Sequence, residues 1–374
     1  MPTLICPERF SFIDEPGDAM SAMCDLARAI TEQAAVIGID QSTCNHIDLC
    51  AASVLNALAL TGARENGTRY MGVYPVASAA KDIVIATGLP RCLGLPLPDH
   101  PAFLTYPLSR GRKSHVSATT ATEKERVAQS LTIYFDHCFA RYGFSLTRAG
   151  RDYVARLVGE VVANAEEHSG RQDWWVAAYL RQPHSASYGD CHLTIFNFGR
   201  TLAQSLQRLP KGAKLRRNAE RLVALQRRAR FFVPSIWTEE NLWTVYALQE
   251  GVSVKNDQVD RLGTRGVGTI RMIETFKNLG RTSDPKVEPV MTVVSGRTHI
   301  LFNARSRLQL VPTERGEKRK VIAFNSRNDL RRPPDRSLVR CLKNGFPGTL
   351  ISLRFFIDPA YLQLRIGGTS GTHN

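Results

Sequence analysis

The sequence predicts an α/β chain of the α+β sandwich kind, and three observations carry that prediction. Segments of helical and strand periodicity alternate over residues 1–105, whereas helices followed by paired apolar strands take over after residue 126. At 374 residues the chain is long for one core. Two units are therefore expected, a small α/β unit over 1–105 and a larger one over 126–374, joined by a linker over 106–125.

The elements follow in order. "PGDAMSAMCDLARAITEQAA" has helical periodicity, "HIDL" is a short apolar strand, and "AASVLNALALTGAREN" is a helix followed by a turn. "TRYMGVYP" is a strand, and "VASAAKDIVIATGL" is a helix ended at Gly88. The proline-rich stretch 94–125 lacks periodicity and reads as a connector. "VAQSLTIYFDHCFARYG" and "LTRAGRDYVARLVGEVVANAEEHS" are two helices, the second capped by Thr147. "DWWVAAYLRQ" and "GDCHLTIFNFG" form a strand pair around the turn "PHSASYGD". A basic helical insertion at about 205–260 includes a second helix, "TEENLWTVYALQEG". A glycine-bearing loop then leads into the helix "TIRMIETFKNLG". Three apolar runs, "VEPVMTVVSG", "THILFN" and "GTLISLRFFI", finish the chain, with a basic loop over 305–344 between the last two.

Composition narrows the function. The net charge is +15 and the pI about 9.7, which favours contact with a polyanion or an acidic protein. Residues 208–232 hold nine Lys or Arg against one acid, Glu220. No apolar stretch is long enough for a bilayer, so no membrane attachment is expected. The eight cysteines form no CxxC pair and the first residues resemble no secretory signal, so a reducing cytoplasm is the expected compartment.

The chemistry concentrates in "GEVVANAEEHSG", where Glu160, Asn164 and His168 lie at i, i+4 and i+8 and so share one helical face. Glu166 and Glu167 are expected to be solvated or ion-paired at the surface. Further on, "GTRGVG" opens a helix. Close glycines let a backbone approach a phosphate, and a helix N-terminus offers free N–H groups. The spacing fits neither a P-loop nor a dinucleotide-binding fingerprint.

Taken in order, these boxes resemble the GHKL ATPases, the group of gyrase, heat-shock chaperone, histidine kinase and mismatch-repair ATPases. The family's Glu-x-x-x-Asn helix is similar to Glu160 to Asn164, and its Asp-x-Gly-x-Gly box to Asn197-Phe198-Gly199-Arg200-Thr201. Its lid box resembles Gly263-Thr264-Arg265-Gly266-Val267-Gly268-Thr269, and its closing strand Gly348-Thr349-Leu350. The resemblance spans roughly 126–358. It implies ATP and Mg²⁺ as cofactors, with Asn164 as the metal ligand and Glu160 orienting or deprotonating the attacking water. His168, Asn197, Gly199, Gly263, Arg265, Gly266, Val267, Gly268, Thr269 and Thr349 would line the nucleotide site. The departure is Asn197, where the family has the Asp that accepts from adenine; Asn keeps an acceptor oxygen and loses the charge.

The first 105 residues resemble a STAS-type domain, the fold of anti-sigma-factor antagonists, through "HIDLCAASVLNALALTGARENGTRYMGVYP" and "KDIVIATGL". The family's phosphoacceptor Asp-Ser-Gly is missing; Ala51-Ala52-Ser53-Val54 stands near its place. The resemblances together imply an ATP hydrolase that couples nucleotide state to a partner protein in bacterial regulation or defence. The partner surface would be the STAS-like unit or the basic 208–230 segment, and a homodimer is a further expectation. Two alternatives stay open: an anti-sigma-like serine kinase in a partner switch, and a nucleotide-gated nucleic-acid binder.

Overall fold

The computed structural model describes residues 1–112, 122–168, 173–183, 186–228, 238–252, 270, 272–274, 281–312 and 318–367; of Leu157, Glu160, Glu167, His168, Arg228 and 364–367 it describes the backbone alone. The chain starts with a parallel three-stranded sheet in the order β1 (Thr3–Ile5), β3 (Val36–Asp40), β5 (Arg69–Val73). A separate two-residue ladder joins β2 (Arg9–Phe10) to β4 (His46–Ile47). Parallel neighbours need crossovers, and α1 (Pro16–Thr31) and α2 (Leu49–Asn66) supply them, followed by α3 (Ser78–Thr87) and α4 (Leu89–Cys92). Of the expected strand "HIDL" only His46–Ile47 is a strand. Asp48 instead caps α2, its Oδ1 accepting from the Ala51 N–H at 2.6 Å.

An antiparallel five-stranded sheet forms the centre, in the order β6 (Phe103–Arg112), β7 (Asp173–Arg181), β8 (Gly189–Phe198), β12 (Val339–Ile357), β9 (Val290–Phe302). The segment read as a linker thus supplies an edge strand, β6. Pro107, which cannot donate to a ladder, falls within a register shift between Tyr106 and Ser109. The helix α5 (Glu123–Ala140) likewise begins inside the expected linker, and α6 (Arg148–His168) follows it. Thr147 caps α6 as expected, its Oγ1 accepting from Gly150 N–H at 3.1 Å.

Strand β7 is buried at every position between its ends, because both faces of the sheet are covered. Trp174, Val176, Ala178 and Leu180 point into a core with α5 and α6. Trp175, Ala177 and Tyr179 point the other way, into a core shared with α1 and α2. The result is four layers: the small parallel sheet, α1 with α2, the five-stranded sheet, and α5 with α6. The first hundred residues are therefore packed on the central sheet through a common core and are not a tethered module.

The insertion is helical, as expected. It comprises α7 (Leu202–Gln207), α8 (Lys214–Arg228) and α9 (Glu239–Ala247), with a small core of its own around Leu206, Val223, Trp243 and Tyr246. The two apolar runs "VEPVMTVVSG" and "THILFN" join into the single strand β9. It continues through Gly296, whose φ is +57° and where an added Cβ would overlap the Glu240 carboxylate. The basic 305–344 segment is only partly a loop. It holds the antiparallel hairpin β10 (Gln309–Pro312) and β11 (Lys318–Val321) and the start of β12, and α10 (Pro359–Gly367) closes the described chain.

Candidate functional site

Three segments far apart in sequence meet at one end of the central sheet, and the Asn197 side chain joins them. Asn197, on β8, is fully buried. Its Nδ2 donates to the Ala165 carbonyl on α6 at 2.7 Å, and its Oδ1 accepts from the Thr349 N–H on β12 at 3.2 Å. Ala165 lies in the last turn of α6, whose final four carbonyls have no partner within the helix. An amide at position 197 satisfies one of them. A carboxylate would set acceptor against acceptor, at the negative end of the helix dipole. An amide at this position thus has a local physical reason that a carboxylate would lack.

Close packing surrounds this tie. Gly348 has φ +147°, and a Cβ there would lie 2.1 Å from the Asn197 carbonyl oxygen and 2.9 Å from the Gly199 nitrogen. Only glycine fits such an approach. Gly199 N–H donates to the Pro347 carbonyl at 2.8 Å, so the end of β8 and the irregular Pro347–Thr349 stretch of β12 hold each other. Ser295 on β9 completes the cluster: its Oγ accepts from Leu202 N–H at 2.9 Å and lies 3.0 Å from Thr349 Oγ1. Ser295 was missed in the sequence; a lone serine just before Gly296 in an apolar run was the available signal. Arg200 is exposed, and Thr201 is buried as the cap of α7, accepting from Gln204 N–H at 3.0 Å.

Asn164 sits one residue before Ala165, half-buried, and its carboxamide has no hydrogen-bond partner among the described residues. A side-chain carbonyl beside the tie suits a hard cation such as Mg²⁺, which takes few protein oxygens and completes its shell with phosphate and water. No group of three or more His, Cys, Asp or Glu able to hold a metal occurs among the described residues; one amide oxygen plus phosphates requires none. Glu160 and His168 lie on α6 with Asn164, but their side chains are outside the described set, as is the whole glycine box Gly263–Thr269. The helix expected after that box is described only at Ile270 and 272–274, where Ile270, Met272 and Ile273 are buried in the α5–α6 core. Glu166 corrects the expectation of a surface group. It is buried, and its Oε2 lies 3.6 Å from Lys124 Nζ on α5.

A second polar cluster lies at the opposite end of β8. Asp190, almost wholly buried, accepts from Arg181 Nη2 at 2.9 Å, from Arg354 Nε at 3.0 Å and Nη2 at 3.1 Å, and from His192 Nε2 at 3.1 Å. Burial works to raise its pKa, but the His192 and Arg354 charges and hydrogen bonds outweigh it and hold the carboxyl far below the usual range. This cluster anchors the strand ends. It was not foreseen, because its members come from three strands.

Among the described residues no helix is long and apolar enough to cross a membrane. No family model matches the chain, and no curated protein or solved structure matches it.

Proposed function

We propose that the chain binds Mg²⁺–ATP at the α6–β8–β12 end of the central sheet and hydrolyses it, with the nucleotide state read by a partner. The observation that carries this reading is the convergence on Asn197 of the last turn of α6, the Asn197-Phe198-Gly199 end of β8 and the Gly348-Thr349 stretch of β12. These are three of the four segments that the resemblance to GHKL ATPases assigns to the nucleotide site. The order of α6, β7, β8, β9 and β12 around them supports the same α+β sandwich reading, and the alternating layers of residues 1–105 support the STAS-like one.

Within this reading each residue has a defined task. When bound, Mg²⁺ would neutralise charge on the phosphates of the nucleotide. Asn164 offers it a side-chain oxygen from α6, and Glu160, one turn earlier, orients or deprotonates the attacking water. Asn197, fully buried with Nδ2 on the Ala165 carbonyl and Oδ1 on the Thr349 N–H, holds α6 and β12 in place around the nucleotide and does not itself meet the base. His168, Gly199, Thr349 and the 263–269 box complete the nucleotide contacts.

The test is Glu160→Gln, which keeps size and hydrogen bonding but cannot take a proton. ATP binding is expected to persist while phosphate release slows roughly 10²–10⁴-fold, the usual loss on removing a general base. Release at the wild-type rate with binding intact would remove Glu160 from the chemical step.

A further inference from the structure

The net positive charge of this chain is carried by two segments, and the fold brings them together. Residues 208–232 carry nine Lys or Arg against one acid, and residues 305–344 carry twelve against four. Each has a net charge of +8, so together they exceed the +15 of the whole chain by one, and all other residues sum to −1. More than seventy residues separate them in sequence, yet they are stitched side by side. Gln226 of α8 donates through Nε2 to the carbonyls of Leu330, at 2.7 Å, and Arg332, at 3.1 Å. Gln249, just after α9, bonds both the carbonyl and the N–H of Ile322, and Glu250 accepts from the Lys320 N–H at 2.5 Å.

The exposed side of α8 carries Lys214, Arg217 and Arg221 at helical spacing. None of the three has an ion-pair partner among the described residues. Arg331 and Arg332, both exposed, continue the surface beyond the end of α8, with Asp329 as their acid neighbour. Repulsion among so many like charges lowers stability unless an anion neutralises them.

Three kinds of polyanion surface differ in what else they need. An anionic membrane needs a free apolar helix face to embed, but Ala219, Leu222 and Val223 of α8 are committed to the insertion core. An acidic protein needs an apolar or aromatic centre to its interface, whereas Leu225 is the one large hydrophobic exposed along α8. Single-stranded nucleic acid is held by stacking on aromatic rings, and neither α8 nor residues 325–336 contain an aromatic residue. What remains is a rod of regularly spaced phosphates. At 15 residues α8 is about 22 Å long, comparable to about six base-pair steps of a duplex.

We infer that the face formed by α8 and the 325–336 loop docks on the phosphate backbone of a nucleic-acid duplex, without reading its sequence. This surface is independent of the nucleotide reading, so the test runs without ATP: fluorescence anisotropy of a labelled 20-base-pair DNA duplex between 50 and 200 mM KCl, using the full chain. Wild type is expected to bind with an affinity that falls linearly in log–log salt. Lys214→Gln/Arg217→Gln/Arg221→Gln is expected to lower the slope by about 2.7, from about 0.9 per phosphate contact, which is a loss of several hundred-fold in affinity at ~0.1 M salt. Arg331→Gln/Arg332→Gln, on the other segment, is expected to lower it by about 1.8, and it decides the matter should the triple variant fail to melt as a folded protein. Absence of duplex binding by wild type at 50 mM salt overturns the inference. So does an unchanged slope in the folded variants, or equal binding to polyglutamate or to phosphatidylserine vesicles.

Discussion

Replacing Asn197 by Asp sets the family resemblance against the physics of this fold. The resemblance treats Asp as the residue that accepts from adenine, so Asn197→Asp would strengthen nucleotide selection. The structure predicts damage. Nδ2 of Asn197 donates to the Ala165 carbonyl at 2.7 Å inside a fully buried site, and an ionised Asp has no proton to give. The Ala165 carbonyl is left unsatisfied at about 1–3 kcal/mol, and a negative charge at a helix C-terminus adds about 0.3–1 kcal/mol. The sum is a loss of about 1–4 kcal/mol at pH 7. Burial and the facing carbonyl raise the carboxyl's folded-state pKa above its unfolded value of about 3.9. The folded state then binds more protons than the unfolded one, so the deficit is largest at neutral pH and shrinks as pH falls towards 4. Urea unfolding followed by circular dichroism at pH 7 and pH 5 measures both effects. Equal stability of variant and wild type at pH 7, or a deficit that does not shrink on acidification, would refute the assignment of Asn197 as the α6–β8 tie.

Two further predictions concern stability. Asp190→Asn leaves Arg181, Arg354 and His192 facing a neutral amide and should destabilise the protein by about 3 kcal/mol, the low end for a broken buried pair because both arginines keep some solvent. Since the folded pKa of Asp190 is depressed, its contribution is fully present above the unfolded carboxylate value of about 3.9 and is lost below it; equilibrium unfolding of wild type and variant from pH 7 down to 3 checks this. His299 is buried neutral, donating from Nε2 to the Phe12 carbonyl at 2.9 Å and so joining β9 to the N-terminal layers. Burial, with the Arg340 charge, pushes its pKa down to about 3 against the carbonyl bond. Between that value and the unfolded 6.5 the unfolded state binds the extra proton, so stability falls by up to about 1.4 kcal/mol per pH unit on acidification. His299→Gln should remove that slope, and an unchanged slope would show that another group titrates.

What the sequence revealed followed from local chemistry. Thr147 before α6 and the continuous apolar run 174–180 each carry a signal within a few residues, and each element lies where that signal put it. Strand β6 was hidden because Pro107 and Gly111 interrupt it, and a bulge absorbs the proline. Strand β9 looked like two runs because Gly296 bends it without ending it. The site was legible as residue types but not as geometry. The bonds of Asn197 reach 32 residues back and 152 residues forward, so nothing local in the sequence marks it as a tie between elements. The burial of Glu166 was hidden for the same reason, since Lys124 belongs to another helix.

The central claim is that Asn164 holds the metal of a bound nucleotide, and isothermal titration of ATP with Mg²⁺ and with EDTA tests it most directly. Wild type should bind ATP more tightly with Mg²⁺ than with EDTA. Asn164→Ala should lose about tenfold or more in the Mg²⁺ titration, about 1.4 kcal/mol, and change little in EDTA, because its half-exposed carboxamide holds no other described residue. No ATP binding by wild type in either buffer, or an equal loss in both for Asn164→Ala, would contradict the account.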